Sequence, residues 1–201
     1  MSKFPKPDRL WSRSEVLGKP SPVPRKPGVY AWYFREIPIS VPTEKCEVHH
    51  DLTLLYVGIS PGAPPRNGKR PSPQTLQSRI RSHYRGNAES STLRLTLGCL
   101  LSDTLGTELR RVGSGKRRTF HACEDTLSDW MEQNAFVCWQ EHTGPWLLEE
   151  VLIRDLSLPL NLDQNRDHPF HPILSRIRRE AKAAANGKPI VVHDESNRGS
   201  A

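Results

Sequence analysis

The sequence predicts a chain of the α+β class, in which a few short strands are interleaved with longer amphipathic helices. Three observations predict it. Residues 28–34, 53–59 and 134–141 are short aromatic and β-branched runs bounded by Gly, Pro or polar clusters. Residues 75–84, 91–102, 145–156 and 172–185 carry apolar residues at helical spacing. The 201-residue length suits one domain with tails.

Each element has a local reason. Residues 1–27 hold Pro5, Pro7, Pro20, Pro22, Pro24 and Pro27 among basic residues, which predicts an extended arm with a short helical turn at 14–17. A Pro-Gly break opens the first strand, and Pro38 and Pro42 end it. Polar residues then lead to the second strand. Residues 60–74 hold five prolines and read as a loop carrying Arg66, Lys69 and Arg70. Thr75 or Ser72 would cap the next helix. Leu93, Leu97, Leu100 and Leu101 mark the one after it. Residues 103–117 give no clear signal, and 118–122 read as a short strand. A helix over 126–133 would start on Thr126, with Asp129 at the capping-box position. Pro145 suits the first turn of the 145–156 helix, and Pro159 stops it. A final helix is expected from about Pro172 to Ala185, followed by a disordered tail over 186–201.

Composition narrows the function. The net charge is +7 and the pI near 9.5, which favours a polyanionic partner through phosphate contacts and counterion release. Cys46, Cys99, Cys123 and Cys138 form no CxxC pair, so zinc-finger and redox-motif spacings are missing. Cys46 with His49 and His50 makes a poor zinc set, because adjacent histidines match tetrahedral geometry badly. No apolar run is long enough to span a bilayer, and the N-terminus has no apolar signal-like stretch. A cytoplasmic protein without a membrane partner is expected.

The 145–156 helix gives the sharpest chemical clue. Trp146, Leu148, Leu152, Ile153 and Leu156 form one apolar stripe at 100° per residue, with Glu149 in the middle of it. A carboxylate aimed inward needs a positive partner. The partner is either a buried arginine or a metal ion at the floor of a cleft. On the 75–84 helix, Leu76, Ile80 and Tyr84 form the buried stripe. Arg79 and His83 share the flanking face, and Arg81 and Arg85 point outward. Arg can fork onto two phosphate oxygens, and His can move a proton near neutral pH. A solvated basic helix with a satisfied histidine would look the same. Tyr30 and Tyr56 each lie in a strand near a glycine, where another group can approach closely.

These residues fall into an ordered pattern. Gly28-Val29-Tyr30 and Tyr56-Val57-Gly58 resemble the two signature triplets of the GIY-YIG nuclease superfamily. The segment from Leu76 through Arg79 to His83 resembles its L-x-x-R-x-x-x-H motif. The run from Glu149 to Leu152 and Ile153 resembles its E-x-x-L-I motif, and Pro159-Leu160-Asn161 its closing segment. The stretch from Asn161 to His171 is similar to one in stand-alone bacterial members. The departures are Val29 and Val57 in place of isoleucine, a long segment between the triplets, and the 60–74 loop.

The resemblance implies a small three-stranded antiparallel sheet flanked by helices, over residues 28–162, with a helical extension at 163–185. It implies a metal-dependent DNA endonuclease that hydrolyses phosphodiester bonds with one Mg²⁺, or Mn²⁺, held by Glu149. Tyr30 would position or deprotonate the attacking water, alone or through His83. Arg79 would stabilise the phosphorane-like charge, Tyr56 would bind the phosphate or the water, and Asn161 would brace the cleft. Arg66, Lys69, Arg70, Arg81 and Arg85 are candidates for contacts to nucleic acid. RNA stays open as a substrate, and protein partners are not indicated. A catalytically inactive nucleic-acid-binding module with the same fold is the alternative.

Overall fold

The computed structural model describes residues 4–65 and 72–192. In chain order the elements are α1 (Arg13–Leu17), β1 (Gly28–Phe34), β2 (Val48–His49), β3 (Leu52–Ser60), α2 (Leu76–Arg85), α3 (Thr92–Leu100), α4 (Ser102–Leu105), β4 (Arg110–Val112), β5 (Arg117–Thr119), α5 (Cys123–Asn134), β6 (Ala135–Glu141), α6 (Pro145–Asp155) and α7 (His171–Asn186).

The main sheet has the order β2-β3-β1-β6, and all its pairings are antiparallel. β1 is central, and every residue in it is buried. Its alternating side chains feed two apolar layers. Tyr30, Trp32 and Phe34 pack into the larger layer, with Leu76, Ile80 and Leu127 from the helices. Val29, Ala31 and Tyr33 pack into the smaller one, with Leu152 and Ile153 of α6. Covering both faces explains why this run is apolar throughout rather than alternating. A bulge between Trp32 and Tyr33 leaves Leu55 of β3 without a register partner.

The three predicted strands pair as an antiparallel sheet, and the structure adds a fourth. β2 was hidden in the polar stretch before Asp51. Its hairpin turns through His50 and Asp51, both at positive φ (49° and 59°). Two-residue hairpin turns of that shape usually announce themselves with Asn-Gly or Asp-Gly, and His-Asp gives no such signal.

Other boundaries moved for physical reasons. Thr126 does not cap a helix: α5 begins at Cys123, and Thr126 lies inside it. Its neighbour Glu124 organises the start by accepting from the backbone N–H groups of Ala88 and Phe120. The 91–102 helix ends at Leu100, with Ser91 as its cap, and α4 follows. The strand expected at 118–122 is β5, shifted toward the N-terminus. It pairs with β4, a segment that gave no signal of its own.

The N-terminal arm packs on the body. Ser12 and Glu15 form a capping box on α1, and Trp11 exchanges two backbone hydrogen bonds with Val137 on the outer edge of β6. At the other end, α7 packs on α3 and β4. Val191 then pairs with Arg111 and Gly113. The rest of the segment read as a tail, from residue 193, lies outside the described residues.

Candidate active site

Tyr30, Tyr56, Arg79 and Glu149 line one cleft of about 450 Å³. They come from β1, β3, α2 and α6, so the cleft exists only when sheet and helices are assembled. His83 and Asn161 stand directly behind its walls.

The β1–β3 ladder puts both phenols on one face. Tyr30 pairs with Gly58, and Trp32 with Tyr56. Gly58 makes room for Tyr30: a Cβ at residue 58 would stand 2.5 Å from the Tyr30 hydroxyl oxygen. Gly28 is equally constrained, since a Cβ there would meet the Gln140 carbonyl oxygen at 2.2 Å.

α2 supplies the groups behind Tyr30. Thr75 caps it, in a reciprocal pairing with Ser78. His83 is fully buried. Its Nε2 lies 2.8 Å from the Tyr30 hydroxyl, and its Nδ1 lies 2.7 Å from Ser91 Oγ. Burial, with the Arg79 and Arg94 charges, holds His83 well below the usual histidine pKa, so its ring is neutral. Burial also pushes the Tyr30 phenol well above its ordinary value, reinforced by Tyr56 and opposed by the Arg79 guanidinium hydrogen-bonded to it. Tyr30 therefore keeps its proton. Tyr56 is pushed up by burial as well, and its hydroxyl is hydrogen-bonded to Thr92.

Glu149 is half-buried and faces the cleft rather than the centre of the core. The stripe around it is narrower than its sequence suggested: Leu152 and Ile153 are buried, while Trp146, Leu148 and Leu156 are only half-buried. Burial pushes its carboxyl up to about 7, against the pull of the Gln164 amide and with help from Asp163. Gln164 Nε2 donates to it at 3.4 Å. Among the described residues no protein cation is ion-paired with it. Arg79 donates instead to Tyr30 and to the Ser90 carbonyl.

Asn161 clamps the strand that carries Tyr56. Its Oδ1 accepts from the Val57 N–H at 3.0 Å, and its Nδ2 donates to the Val57 carbonyl at 2.8 Å. Leu160 N–H donates to the Leu55 carbonyl beside it. The segment after α6 is thereby sewn onto the free backbone groups of β3.

The other candidates lie elsewhere. Arg81 is half-buried and donates to the Val16 and Leu17 carbonyls at the end of α1. Arg85 is exposed. Neither lines the cleft. Arg66, Lys69 and Arg70 lie outside the described residues. Cys46 is engaged with Pro42 and Ser157, and His49 with the Pro7 carbonyl. Among the described residues no group of three or more His, Cys, Asp or Glu is arranged to hold a metal.

Sequence reading missed Ser91, Thr92, Asp163 and Gln164. Ser91 could have been found as a helix cap beside the leucine-rich run. It also missed Arg94, which is fully buried against Glu124 at 2.7 Å and donates to the His83 and Tyr84 carbonyls. An arginine next to Leu93 in an apolar helix was the available signal.

A family model described as the GIY-YIG catalytic domain matches residues 28–180. No curated protein and no solved structure is similar enough to match. Among the described residues no helix is long and apolar enough to cross a membrane.

Proposed function

Because the chain belongs to the GIY-YIG catalytic-domain family, a nuclease-type family, we propose that it is a metal-dependent DNA endonuclease that hydrolyses phosphodiester bonds in the cleft between Tyr30 and Glu149. One observation carries the reading. Two phenols, a guanidinium and a carboxylate that no cation among the described residues pairs with line a single cleft.

The donor set suits Mg²⁺ or Mn²⁺. Glu149 is a partly desolvated carboxylate whose hydrogen-bond partner is a neutral amide. Magnesium takes few carboxylates and keeps several waters, so one such ligand suffices. When bound, the ion would offset charge on the phosphate and the leaving oxygen.

The chain's own groups divide the remaining work. The Tyr30 oxygen would receive the proton of the attacking water while its own proton passes to His83 Nε2. This route avoids a free phenolate, which at a pKa of about 10 already lies about 4 kcal/mol uphill at pH 7 and lies further uphill for this buried phenol. His83 is neutral, so its Nε2 can accept while its Nδ1–H donates to Ser91 Oγ. Burial and the Arg79 and Arg94 charges make the imidazolium costly, so the transfer would run together with the build-up of negative charge on the phosphate. Arg79 would fork onto the phosphate as negative charge builds. Tyr56, steadied by Thr92, would hold a phosphate oxygen or the water. Asn161 would keep the strand bearing Tyr56 in place.

Plasmid nicking tests the reading. The wild type should nick with Mg²⁺ or Mn²⁺, and EDTA should stop it. Glu149→Ala should abolish nicking with the fold intact. DNA binding without any metal-dependent nicking would leave a non-catalytic binding module in its place.

A further inference from the structure

Among the described residues Arg79 is the one guanidinium that lines the cleft, and a second borders a neighbouring recess that shares Tyr56, Thr92, Glu149 and Asp163 with it. Arg178 lies on α7, where Leu174, Ile177, Ala181 and Ala185 form the inward stripe. At 100° per residue it falls about 40° from Leu174, so it shares that inward face. It is half-buried and borders a recess of about 60 Å³, together with Tyr56, Thr92, Glu149, Asn161 and Asp163.

Its hydrogen bonding sets it apart. Among the described residues, every other buried or half-buried arginine donates to a protein oxygen. Arg94 grips Glu124, Arg111 and Arg118 hold the end of α7, and Arg81 holds the end of α1. Arg178 makes no hydrogen bond or ion pair among the described residues. Burial lowers its pKa, opposed through space and without a hydrogen bond by Cys99, Asp163 and Tyr56. The Arg178 nitrogens are not among the buried side-chain atoms that lack a partner, so they reach solvent, and a half-buried guanidinium that no described protein group holds is open to an anion. A site that needs an anion would retain one.

The recess fits the oxygens of a phosphoryl group. Its volume is that of about two waters, too little for a nucleobase. The carboxylates of Glu149 and Asp163 border it. The ion proposed on Glu149 would offset one of them, and Asp163 still disfavours a phosphate unless a further positive charge lies beside it. Arg178 supplies that charge on the Tyr56 side, as Arg79 does beside Tyr30.

We propose that Arg178 is a second phosphate-binding arginine of the cleft, donating to a backbone phosphate of the bound nucleic acid next to Tyr56. This assignment rests on the nuclease reading of the cleft.

The test is fluorescence anisotropy in EDTA, where nothing is cut. The probes are fluorescein-labelled duplex and single-stranded oligonucleotides over a salt series. The proteins are the wild type, Arg178→Met, Arg178→Lys and Arg176→Met. Arg176 is exposed on the outer face of the same helix, next to Glu180. Arg178→Met should weaken binding about tenfold and flatten the log–log salt slope by about 0.9. It should melt no lower than the wild type, because an apolar chain replaces an unpartnered cation. Arg178→Lys should keep the slope, since the charge remains. Arg176→Met should leave the slope unchanged. Wild-type affinity and slope in Arg178→Met would overturn the assignment, as would an equal loss of slope in Arg176→Met or a lower melting temperature with unchanged binding. A wild type that binds neither probe would sink the nucleic-acid reading itself, a result distinct from these.

Discussion

Gly58 stands opposite Tyr30 across the β1–β3 ladder, and the Tyr30 phenol fills the space that a side chain at residue 58 would need. Gly58→Ala should push the ring off its hydrogen bond with His83. Overpacking of this kind destabilises by about 1–3 kcal/mol. Nicking should fall by more than stability does, because the proposed proton path runs through that ring. Urea denaturation and plasmid nicking on the same preparation would check both effects. A variant with full activity would show that Tyr30 need not sit where it does.

Glu149 should oppose folding at alkaline pH. Its carboxyl is raised from the ordinary 4.5 to about 7. A carboxyl raised on folding favours the fold while protonated. That contribution is complete below about 4.5 and is lost as pH rises through about 7. In metal-free buffer at pH 8, Glu149→Gln should therefore be more stable than the wild type. The gain should be about 1–2 kcal/mol after discounting for partial exposure. It should vanish by pH 4. Thermal melts across pH would measure it, and destabilisation at pH 8 would reveal a protein cation on the carboxylate. The same variant should lose metal-dependent nicking.

His83 should act in the opposite direction. Its folded pKa lies well below the ordinary 6.5, so the stability it contributes is present above 6.5 and is lost as pH falls below it. In the Glu149→Gln background, where the carboxyl no longer compensates, stability should drop by up to about 1.4 kcal/mol per pH unit below 6.5. His83→Gln should flatten that fall, as read by chemical denaturation at several pH values. A slope unchanged by the substitution would assign the acid sensitivity to other groups.

Asn161→Ala removes both hydrogen bonds to the Val57 backbone and leaves a buried N–H and C=O without partners. The loss should be about 2–4 kcal/mol. Asn161→Asp should also be damaging, since a carboxylate cannot donate to the Val57 carbonyl. Amide exchange at Val57, followed by NMR, should accelerate in Asn161→Ala, which has lost the acceptor for that N–H. Protection equal to the wild type would remove the clamp assignment.

Much of this arrangement was legible in the chain because it is written locally. The Gly-Val-Tyr and Tyr-Val-Gly runs mark strands by their aromatic and β-branched residues and by their glycines. Arg79 and His83 share a helix face by spacing, and Glu149 betrays itself as a charge among Trp146, Leu152 and Ile153. What escaped depends on partners distant in sequence. Glu124 starts α5 by accepting from Ala88 and Phe120, so a search for a local cap chose Thr126. β2 rests on a His50-Asp51 turn at positive φ that lacks the glycine by which such hairpins are recognised. Ser91 was visible as a cap, but its second role depends on a ring delivered by another helix. Arg178 was open to the same projection that singled out Glu149, because it lies beside Leu174 on the inward face of α7.

β1 is flanked by β3, close in sequence, and by β6, a hundred residues on. Closing that long loop is an entropic hurdle that slows folding. During synthesis the N-terminal half emerges with Tyr30, Tyr56, Arg79 and His83 but without β6, α6 or Asn161. The growing polypeptide thus carries Tyr30 and His83 before Glu149, so on the proposed function a ribosome-bound or prematurely terminated product would be inert toward the nucleic acids around it. Sequence order itself withholds a complete cleft until the final third of the chain has been made.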